Sequence, residues 1–455
     1  MTRLSCFKSY DVRGRLGLDL DEALARRIGR AFVRVLGARS VVVGRDARPS
    51  SPALRDAVVE GLRDEGAEAI DIGLCGTEEV YFAVPHLGAG GGIMVTASHN
   101  PIDWNGLKVV REGSRPIAWD TGLSAIHDLV AGDALGEPGT RGALREVDAR
   151  PAYALHVAGY LDGDGLRPLR VLVNAGNGAA GPTFDAVAAV LEARGVPFEW
   201  IRMDWEPDET FPNGIPNPLL PENRARTAAA VVEAGADFGV AWDGDFDRCF
   251  LFDEGGGFVD GELVVALLAR AFLRREPGAA IVHEPRVVWA TRAAIEEAGG
   301  RAVAVRTGHA HLKAALREHD APYGGEMSAH HYFRDFAYCD SGVIPALLAA
   351  GLVARSPAPL SALVGEMRRR FPSSGEVNFA PADPQAALAR FEAAYAGQAE
   401  GVDRLDGLSL DFGRWRANVR VSNTEGLLRL NVETRGDRDL LAEKVAELSA
   451  FLGGT

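Results

Sequence analysis

Apolar residues along the chain recur in short runs, and each run is followed by a polar loop and then by a helical pattern. Three such stretches, at 40–72, 170–201 and 280–305, have the pattern of a strand, a helix that ends at glycine, and a second strand. This order is typical of a βαβ unit, in which the strands pair in parallel through a right-handed crossover. The units recur roughly every 110–130 residues, so we expect repeated α/β domains rather than a solenoid.

The last part of the chain follows a different pattern. Apolar strands alternate with polar loops after 371–375, and 427–433 alternates residue by residue as a half-buried strand does. Helices are expected over 384–396 and 438–451, and this combination predicts an α+β domain. The proline-rich run 211–218 predicts a rigid loop, because proline fits neither a helix interior nor a central strand.

A chain of 455 residues is too long for one hydrophobic core, so it should divide into several domains. The fold class that we predict is α/β, with three similar α/β domains that have mixed sheets and a C-terminal α+β domain. The expected domains are 1–147, 148–253, 254–367 and 368–455.

Composition narrows the classes of function. Hydrophobic residues make up 47% and charged residues 25%, which is typical of a soluble globular protein. No apolar run is long enough to cross a bilayer and the first residues have no signal-peptide core, so we expect a cytoplasmic protein with no membrane partner. The net charge of −14 counts against a nucleic-acid partner but is compatible with a small anionic ligand. Four scattered cysteines form no CxxC pair and are expected to be buried apolar side chains: Cys6, Cys75, Cys249 and Cys339.

The strongest chemical motif is the acidic run 243–248, Asp-Gly-Asp-Phe-Asp-Arg, which follows an apolar strand. Gly244 allows the backbone to curl so that Asp243, Asp245 and Asp247 turn toward one point. Three carboxylates so close repel one another unless a cation lies between them, and oxygen ligands suit Mg²⁺ or Ca²⁺. An EF-hand is not indicated, because the glycine at its sixth position is missing. A solvated acidic turn is the alternative, and the flanking apolar residues count against it.

Ser98 follows a glycine-rich strand, 91–96, in the run Thr-Ala-Ser-His-Asn-Pro. His99 and Asn100 can donate hydrogen bonds there, and Pro101 stiffens the exit from the strand. A serine at a strand end is suited to carry a phosphoryl group beside a metal, although an ordinary turn serine is the commoner case for such a segment alone. No G-x-S-x-G nucleophile elbow is present, which counts against a hydrolase triad.

A second polar run, Arg-Val-Ser-Asn-Thr-Glu-Gly, starts at Arg420 and offers a guanidinium, two hydroxyls and an amide. This is the set of donors that a dianionic phosphate needs, and a polar turn is the alternative. The donors are Arg420, Ser422, Asn423 and Thr424. Weaker candidates of the same kind are Arg45, Arg48, Tyr10 and Arg13.

A glycine pair precedes Glu326 and Ser328, whose side chains can hold two hydroxyls of a sugar. His330 and His331 follow directly and resemble a metal site at first sight. Adjacent side chains diverge on most backbones, so we expect a packing role for at least one of them. Another strand-end loop, Arg-Thr-Gly-His, finishes at His309, which can transfer a proton or bind phosphate.

These motifs, in this order, resemble the α-D-phosphohexomutase superfamily, and most closely its bacterial phosphomannomutases, including those that also act on glucose phosphates. The resemblance runs nearly end to end. The most specific segments are 96–101, 243–248, 324–336 and 420–425. The chain departs from its relatives at Gly426, where proline is frequent, and at Trp104, where tyrosine is common.

The resemblance implies four domains around a central cleft, one Mg²⁺ per chain, and hexose 1,6-bisphosphate as activator and intermediate. The four domains would contribute the phosphoserine, the metal loop, the sugar-binding loop and the phosphate-binding loop, in that order. The implied catalytic residues are Ser98, Arg13, Lys108 and His309. The implied metal ligands are Ser98, Asp243, Asp245 and Asp247. The implied substrate-binding residues are Tyr10, Arg248, Arg286, Thr307, Gly308, Glu326, Ser328, His330, Arg420, Ser422, Asn423 and Thr424.

The activity implied by the resemblance is an isomerase that interconverts mannose 6-phosphate and mannose 1-phosphate. Phospho-Ser98 would give its phosphoryl group to the sugar and take the other one back from a bisphosphorylated intermediate. The general base stays open among Arg13, Lys108 and His309. Alternatives within the superfamily are a phosphoglucomutase or a dual-specificity enzyme, with a phosphoglucosamine mutase less favoured. Alternatives outside it are a metal-dependent sugar phosphatase and a catalytically silent sugar-phosphate-binding protein. The expected partner is a small-molecule sugar phosphate, and the expected state is a monomer or weak homodimer.

Overall fold

The computed structural model describes residues 4–132, 134–422 and 426–453. The chain divides into two compact units. The first unit consists of Met1–Phe258 and Asp335–Pro359, and the second consists of Val259–Arg334 and Leu360–Thr455.

The first unit begins with a mixed sheet in the order β1-β5-β4-β2-β3-β7, in which β6 pairs with β5. Its strands are β1 (Val12–Arg15), β2 (Ser40–Arg45), β3 (Glu68–Leu74), β4 (Gly91–Val95), β5 (Trp104–Arg111), β6 (Arg115–Pro116) and β7 (Leu144–Glu146). Its helices are α1 (Glu22–Leu36), α2 (Ser51–Asp64), α3 (Thr77–His86) and α4 (Leu123–Ala131). Strand β2 is parallel to β3 and β4, whereas β5 is antiparallel to β1 and β4. Helix α1 begins where Asp21 caps the amide of Leu24 at 2.7 Å and ends at Gly37, whose φ is 63°.

A second mixed sheet in the same unit has the order β12-β11-β10-β8-β9. Its strands are β8 (Leu169–Asn174), β9 (Phe198–Met203), β10 (Phe238–Trp242), β11 (Cys249–Phe252) and β12 (Phe258–Val259). The helices of this region are α5 (Arg150–Val157), α6 (Ala180–Ala193) and α7 (Ala225–Glu233). Strand β8 is parallel to β9 and β10, and β11 is antiparallel to β10.

In the second unit, four strands form a mixed sheet in the order β14-β13-β15-β16. The strands from 280 to 340 are β13 (Ala280–His283), β14 (Arg301–Ala304), β15 (Tyr323–Gly325), β16 (His331–Phe333) and β17 (Cys339–Asp340). The helices from 261 to 370 are α8 (Gly261–Arg275), α9 (Trp289–Glu297), α10 (His309–Glu318), α11 (Val343–Arg355) and α12 (Leu360–Arg370). Strand β17 and helix α11 belong to the first unit, where α11 packs against β8 and β11.

The C-terminal sheet is antiparallel throughout and has the order β18-β22-β21-β20-β19. Its strands are β18 (Val377–Phe379), β19 (Gly401–Asp403), β20 (Leu408–Asp411), β21 (Trp415–Val421) and β22 (Leu428–Thr434). Helices α13 (Pro384–Tyr395) and α14 (Arg438–Gly453) accompany it, and they bury Phe391, Leu448 and Leu452 in its core. Three mixed α/β sheets followed by an antiparallel sheet with helices confirm the predicted fold class, while the exact domain bounds stay predictions.

The four cysteines are buried, as expected for small apolar side chains. No single helix in the described residues is long and apolar enough to cross a membrane, and one bent pair, α11 with α12, passes that test only when the two are taken together.

Candidate active site

Ser98 lies three residues beyond the end of β4, in a backbone conformation that is unusual for serine. Its φ is 52°, and its amide donates a hydrogen bond to Thr96 Oγ1 at 2.8 Å, so the turn aims the side chain in a defined direction. The residue is buried, with 4% of its surface exposed. The Ser98 hydroxyl donates to Asp243 Oδ2 at 2.7 Å, which brings the two strongest sequence motifs into direct contact.

Arg48 supports the Ser98 turn through hydrogen bonds to the backbone. Its buried guanidinium donates to the carbonyl oxygens of Ser98 at 2.9 Å and Pro101 at 2.8 Å, and also to those of Asn100 and Trp104. Backbone carbonyls therefore occupy the guanidinium N–H groups that the sequence suggested as donors to a phosphate. Arg48 is therefore a support for the serine turn in this structure, and sequence reasoning missed that role.

Residues 243–247, which we call the carboxylate loop, connect β10 to β11. Their close approach to the serine turn requires a glycine, because a Cβ atom on Gly244 would lie 2.6 Å from the Ser98 carbonyl oxygen. Phe246 has a φ of 43° and is fully buried, so the loop curls back on itself. Asp243, Asp245 and Asp247 are buried, and one oxygen from each lies within 4.8 Å of the others. The predicted convergence of the three carboxylates is therefore present.

Two cations, Lys108 and Arg248, offset most of the negative charge of the carboxylate loop. Lys108 on β5 places its Nζ 2.6 Å from Asp245 Oδ2 and also pairs with Asp247. Arg248 donates from Nε to Asp243 Oδ2 at 2.9 Å and from Nη2 to Ser98 Oγ at 3.3 Å. Burial would raise the pKa of Asp245, but the Lys108 ammonium and hydrogen bonds from Lys108 and Thr77 outweigh burial and lower it. Burial would lower the pKa of Lys108, but Asp245 and Asp247 raise it.

The residues of the carboxylate loop fit a divalent cation. Asp245 Oδ1 is buried and has no hydrogen-bond partner among the described residues, which is costly unless something binds it. Three hard carboxylate oxygens beside the Ser98 hydroxyl form a ligand set that suits Mg²⁺ better than a soft metal. A candidate metal site therefore lies next to the serine.

His99 and Asn100 each accept a hydrogen bond from a neighbouring arginine. Arg248 Nη2 hydrogen-bonds His99 Nδ1, and Arg13 Nη1 donates to Asn100 Oδ1 at 2.7 Å. Burial, with the charges of Arg248 and Arg13, lowers the pKa of His99 well below its usual range. His99 Nε2 and Asn100 Nδ2 are the atoms that can donate, so the expected donation by these two side chains stays a prediction. Tyr10, another predicted site residue, is half-buried just before β1.

In the second unit, the predicted sugar-binding residues share one network. Glu326 accepts hydrogen bonds from the Gly308 amide at 3.1 Å and from the Tyr332 hydroxyl at 2.6 Å. Arg286 donates to Ser328 Oγ at 3.4 Å and forms an ion pair with Glu284. The hydroxyl of the predicted site residue Thr307 donates to Glu284 Oε2 at 3.2 Å.

Arg286, Arg420 and Arg429 form a group that we call the arginine cluster. All three guanidiniums contact the carboxylate of Glu376 at 3.2 Å. Sequence reasoning selected Arg286 and Arg420 but missed Arg429 and Glu376, because nothing local marks them. The Ser422 amide donates to the Leu427 carbonyl at 2.8 Å, whereas the predicted residues Asn423 and Thr424 lie outside the described residues.

The three histidines singled out from the sequence occupy different environments. His309 is the first residue of α10, and His330 stacks on Tyr332 with ring centres 6.2 Å apart. His331 is fully buried, and its Nδ1 atom is 2.8 Å from the Tyr323 hydroxyl. Burial lowers the pKa of His331 to about 3, so this side chain is neutral. The packing role predicted for one of the adjacent histidines is confirmed for His331.

Models of known protein families match most of the chain. Those for the phosphoglucomutase/phosphomannomutase alpha/beta/alpha domains I, II and III match residues 5–134, 151–256 and 260–371, and that for the C-terminal domain matches 376–450. A phosphomannomutase of Salmonella typhimurium is 55% identical over 455 residues, covering 99% of this chain and 100% of the relative. Proteins named phosphohexose mutases from Xanthomonas campestris pv. campestris are 55% identical over 453 residues, with 99% and 100% coverage.

A solved structure agrees with these relatives. The crystal structure of a phosphoglucomutase/phosphomannomutase family protein from Burkholderia thailandensis has a TM-score of 0.88 and 32% identity, covering 99% of this chain and 98% of that one. The match extends over both units. The chain therefore belongs to the phosphoglucomutase/phosphomannomutase family of isomerases, within the α-D-phosphohexomutase superfamily.

Proposed function

We propose that this chain interconverts mannose 6-phosphate and mannose 1-phosphate through a phosphorylated Ser98 and a bisphosphorylated sugar. The observation that carries the proposal is the contact of Ser98 Oγ with Asp243 in a buried loop of three carboxylates. A serine in an ordinary turn needs neither the neighbouring carboxylates nor the two cations that offset their charge.

The proposed reaction is a transfer of the phosphoryl group from Ser98 to a free sugar hydroxyl. The bond between Ser98 Oγ and phosphorus breaks and its electron pair stays on Oγ. A new bond forms from phosphorus to the sugar oxygen, and the hydroxyl proton passes to a base. The reverse transfer from the other phosphate of the sugar restores phospho-Ser98.

Charge stabilisation would come from the groups around Ser98. Asp243, Asp245 and Asp247 would hold one Mg²⁺, which supplies a divalent charge close to the transferring phosphoryl group. Arg248 already donates to Ser98 Oγ, and Lys108 is held as an ammonium by two carboxylates. A protonated Lys108 suits charge stabilisation and not proton removal.

The proton acceptor that we propose is His309. Of the three candidates from the sequence, Lys108 is paired as a cation and Arg13 donates to Asp11 and Asn100. Both are donors in this structure, whereas a histidine can accept a proton near neutral pH.

The second unit would bind the sugar and its other phosphate. Glu326, Ser328 and His330 are proposed to contact sugar hydroxyls. The proposed contacts for the phosphate are Arg286, Thr307, Gly308, Arg420, Ser422, Asn423 and Thr424. In the first unit, Tyr10 is proposed to bind substrate and Arg13 to assist catalysis. Hydrogen bonds from guanidiniums to phosphate are charge-assisted, so they are stronger than those between neutral groups.

The preference for mannose follows the names of the relatives. Several full-length relatives are named phosphomannomutase, while others are named phosphohexose mutases, which favours a dual-specificity enzyme as the second candidate. The ratio of kcat/KM for mannose 1-phosphate to that for glucose 1-phosphate distinguishes the two. A ratio near one would favour dual specificity.

The remaining properties that we propose complete this function. The enzyme would be cytoplasmic, would use hexose 1,6-bisphosphate as activator, and would act on small sugar phosphates as a monomer or weak homodimer without nucleic acid or membrane. Its four domains would be 1–147, 148–253, 254–367 and 368–455, carrying the phosphoserine, the metal loop, the sugar-binding loop and the phosphate-binding loop.

The test of the proposal starts from mannose 1-phosphate with Mg²⁺ and a trace of hexose 1,6-bisphosphate. We expect mannose 6-phosphate to form, as followed by ³¹P NMR. Intact-mass measurement should show an extra ~80 Da on the wild type and not on Ser98→Ala. Release of inorganic phosphate without mannose 6-phosphate would contradict the proposal and indicate a phosphatase.

A further inference from the structure

Glu376 lies at the centre of the arginine cluster. Its Oε2 atom is 3.2 Å from Arg286 Nη1 and 3.2 Å from Arg420 Nη2, and its Oε1 atom is 3.2 Å from Arg429 Nη1. One carboxylate therefore accepts from three guanidiniums. These are the same N–H edges that a phosphate dianion would use, because carboxylate and phosphate oxygens compete for the same donors.

The exposure of these side chains shows which of them can change partner. The side chains of Arg286 and Arg420 are 5% and 6% exposed, whereas those of Glu376 and Arg429 are 18% and 21% exposed. Arg286 also donates from Nε to Glu284 Oε2 at 2.7 Å. Its Nη1 atom is the one that contacts Glu376. Burial therefore fixes Arg286 and Arg420, whereas Glu376 lies with Arg429 at the more open side of the cluster.

Glu376 is ionised at neutral pH. Burial would raise the pKa of its carboxyl, but the charges of Arg286, Arg429 and Arg420 outweigh burial and lower it. A phosphate that approaches the arginine cluster therefore meets a full negative charge on Glu376.

We propose that Glu376 is a built-in anionic competitor that weakens the grip of the arginine cluster on phosphate. The inference rests on the proposed function, because a mutase that passes through a bisphosphorylated sugar must release one phosphate and bind the other at the same place. A site that held phosphate too tightly would trap the intermediate. When no substrate is bound, Glu376 holds the three arginines together. When a phosphate binds them, it must compete with the Glu376 carboxylate for the same N–H donors.

The alternative role for Glu376 is a passive clamp that only orders the arginines, and it predicts the opposite result. Loss of a clamp scatters the guanidiniums and weakens phosphate binding. Loss of a competitor removes the negative charge that the three guanidiniums share and strengthens binding, while Glu284 still pairs with Arg286. The sign of the change in affinity therefore separates the two roles.

The experiment measures the dissociation constant of inorganic phosphate for the full-length protein by calorimetry. We expect Glu376→Gln to bind phosphate about tenfold more tightly than the wild type, and Glu376→Met to shift in the same direction. Glu376→Asp keeps the charge and should stay close to the wild type. During turnover of sugar phosphates, Glu376→Gln should lower both KM and kcat, since release becomes slower.

Glu297→Gln is the matched control, because Glu297 also bridges two arginines, Arg270 and Arg370, but at a partly exposed position on α9. It should leave phosphate binding and turnover unchanged. Weaker or unchanged phosphate binding by both folded variants, Glu376→Gln and Glu376→Met, would overturn the role of Glu376. Phosphate binding is measured without turnover, so a failure of the proposed mutase activity would be seen separately.

Discussion

In the first unit, the carboxylate loop gathers three acids around Lys108 and Arg248, whereas in the second unit the arginine cluster gathers three guanidiniums around Glu376. Each site concentrates charge of one sign in a buried place and relieves the repulsion with side chains of the other sign. The two sites have opposite polarity, which is what a phosphoryl donor beside a cation and a receptor for an anion require.

The two sites differ in how the compensation is arranged. In the carboxylate loop the acids are at most 2% exposed, and Asp245 Oδ1 has no hydrogen-bond partner among the described residues, so this oxygen can bind a ligand without losing a contact to one of them. In the arginine cluster the compensating carboxylate is itself partly exposed and occupies the donors. This difference fits the proposed function, in which a cation completes the first site and a phosphate is exchanged at the second.

Ser98→Ala should cause the largest loss of activity among the variants at the carboxylate loop. Removing the atom that carries the phosphoryl group should lower kcat by more than about 1,000-fold, because no other step replaces the covalent transfer. A coupled assay for mannose 6-phosphate measures it, and unchanged binding of inorganic phosphate shows that the second unit is intact. Substantial residual activity would mean that another group accepts the phosphoryl.

Asp245→Asn removes one charge from the carboxylate loop with little change in shape. We expect kcat to fall by about 100- to 1,000-fold and cation affinity to fall with it, because two acids remain to hold the cation against Lys108. Titration with Mn²⁺ followed by electron paramagnetic resonance measures the affinity. Asp185→Asn removes an exposed carboxylate that pairs with Arg202 and should change neither quantity.

Arg420→Met tests the other half of the comparison. Loss of one guanidinium from the arginine cluster removes a charge-assisted hydrogen bond, so kcat/KM for sugar phosphates should fall by about 10- to 100-fold. The affinity for Mn²⁺ should not change. Arg404→Met, at an exposed arginine that pairs with Glu392, is the control. A fall in Mn²⁺ affinity without a change in kcat/KM would contradict the division of labour between the two sites.

Thr77 tests how the carboxylate of Asp245 is oriented, since the other oxygen of that carboxylate, Oδ1, has no hydrogen-bond partner within the described ranges. The Thr77 hydroxyl donates to Asp245 Oδ2 at 2.6 Å, and its amide donates to the Asp245 carbonyl at 3.1 Å. Thr77→Val keeps the shape and removes the hydroxyl, so the affinity for Mn²⁺ should fall about tenfold. Thr77→Ser restores the hydroxyl and should restore the affinity. Equal affinities in the two variants would show that the hydroxyl does not orient Asp245.

The local parts of both sites could be predicted from the sequence, because each depends on a few consecutive residues. The strand before Ser98, the glycine that lets the carboxylate loop curl and the βαβ pattern of the sheets all follow from short-range rules. The fold class was predicted correctly for the same reason.

The supports of both sites could not be predicted from the sequence, because they come from distant positions. Thr77 is 168 residues from Asp245, and Glu376 is 90 residues from Arg286. Threonine and glutamate are ordinary in their own segments, so only the folded chain reveals their partners. Arg48 was misjudged for a related reason, since a buried arginine that binds carbonyls looks like a phosphate ligand until its partners are known.

Glu262 on α8 gives a final contrast with the carboxylate loop, because burial rather than a cation determines its protonation. Burial, with the charges of Asp260 and Glu433, raises the pKa of Glu262 to about 7 from 4.5, against a hydrogen bond from Ser373. Between these pH values the native protein binds more protons than the unfolded chain, so the free energy of unfolding should fall as pH rises from about 4.5 to 7.

Glu262→Gln removes this titration. The free energy of unfolding of the variant minus that of the wild type should therefore increase by up to about 3 kcal/mol as pH rises from about 4.5 to 7. Urea unfolding at pH 5, 6, 7 and 8 measures it. His283, whose pKa burial lowers to about 4, acts in the opposite direction. It is present in both proteins and cancels in the difference. Parallel curves for the two proteins would mean that Glu262 is ionised when buried, and the contrast with the cation-paired Asp245 would then be lost.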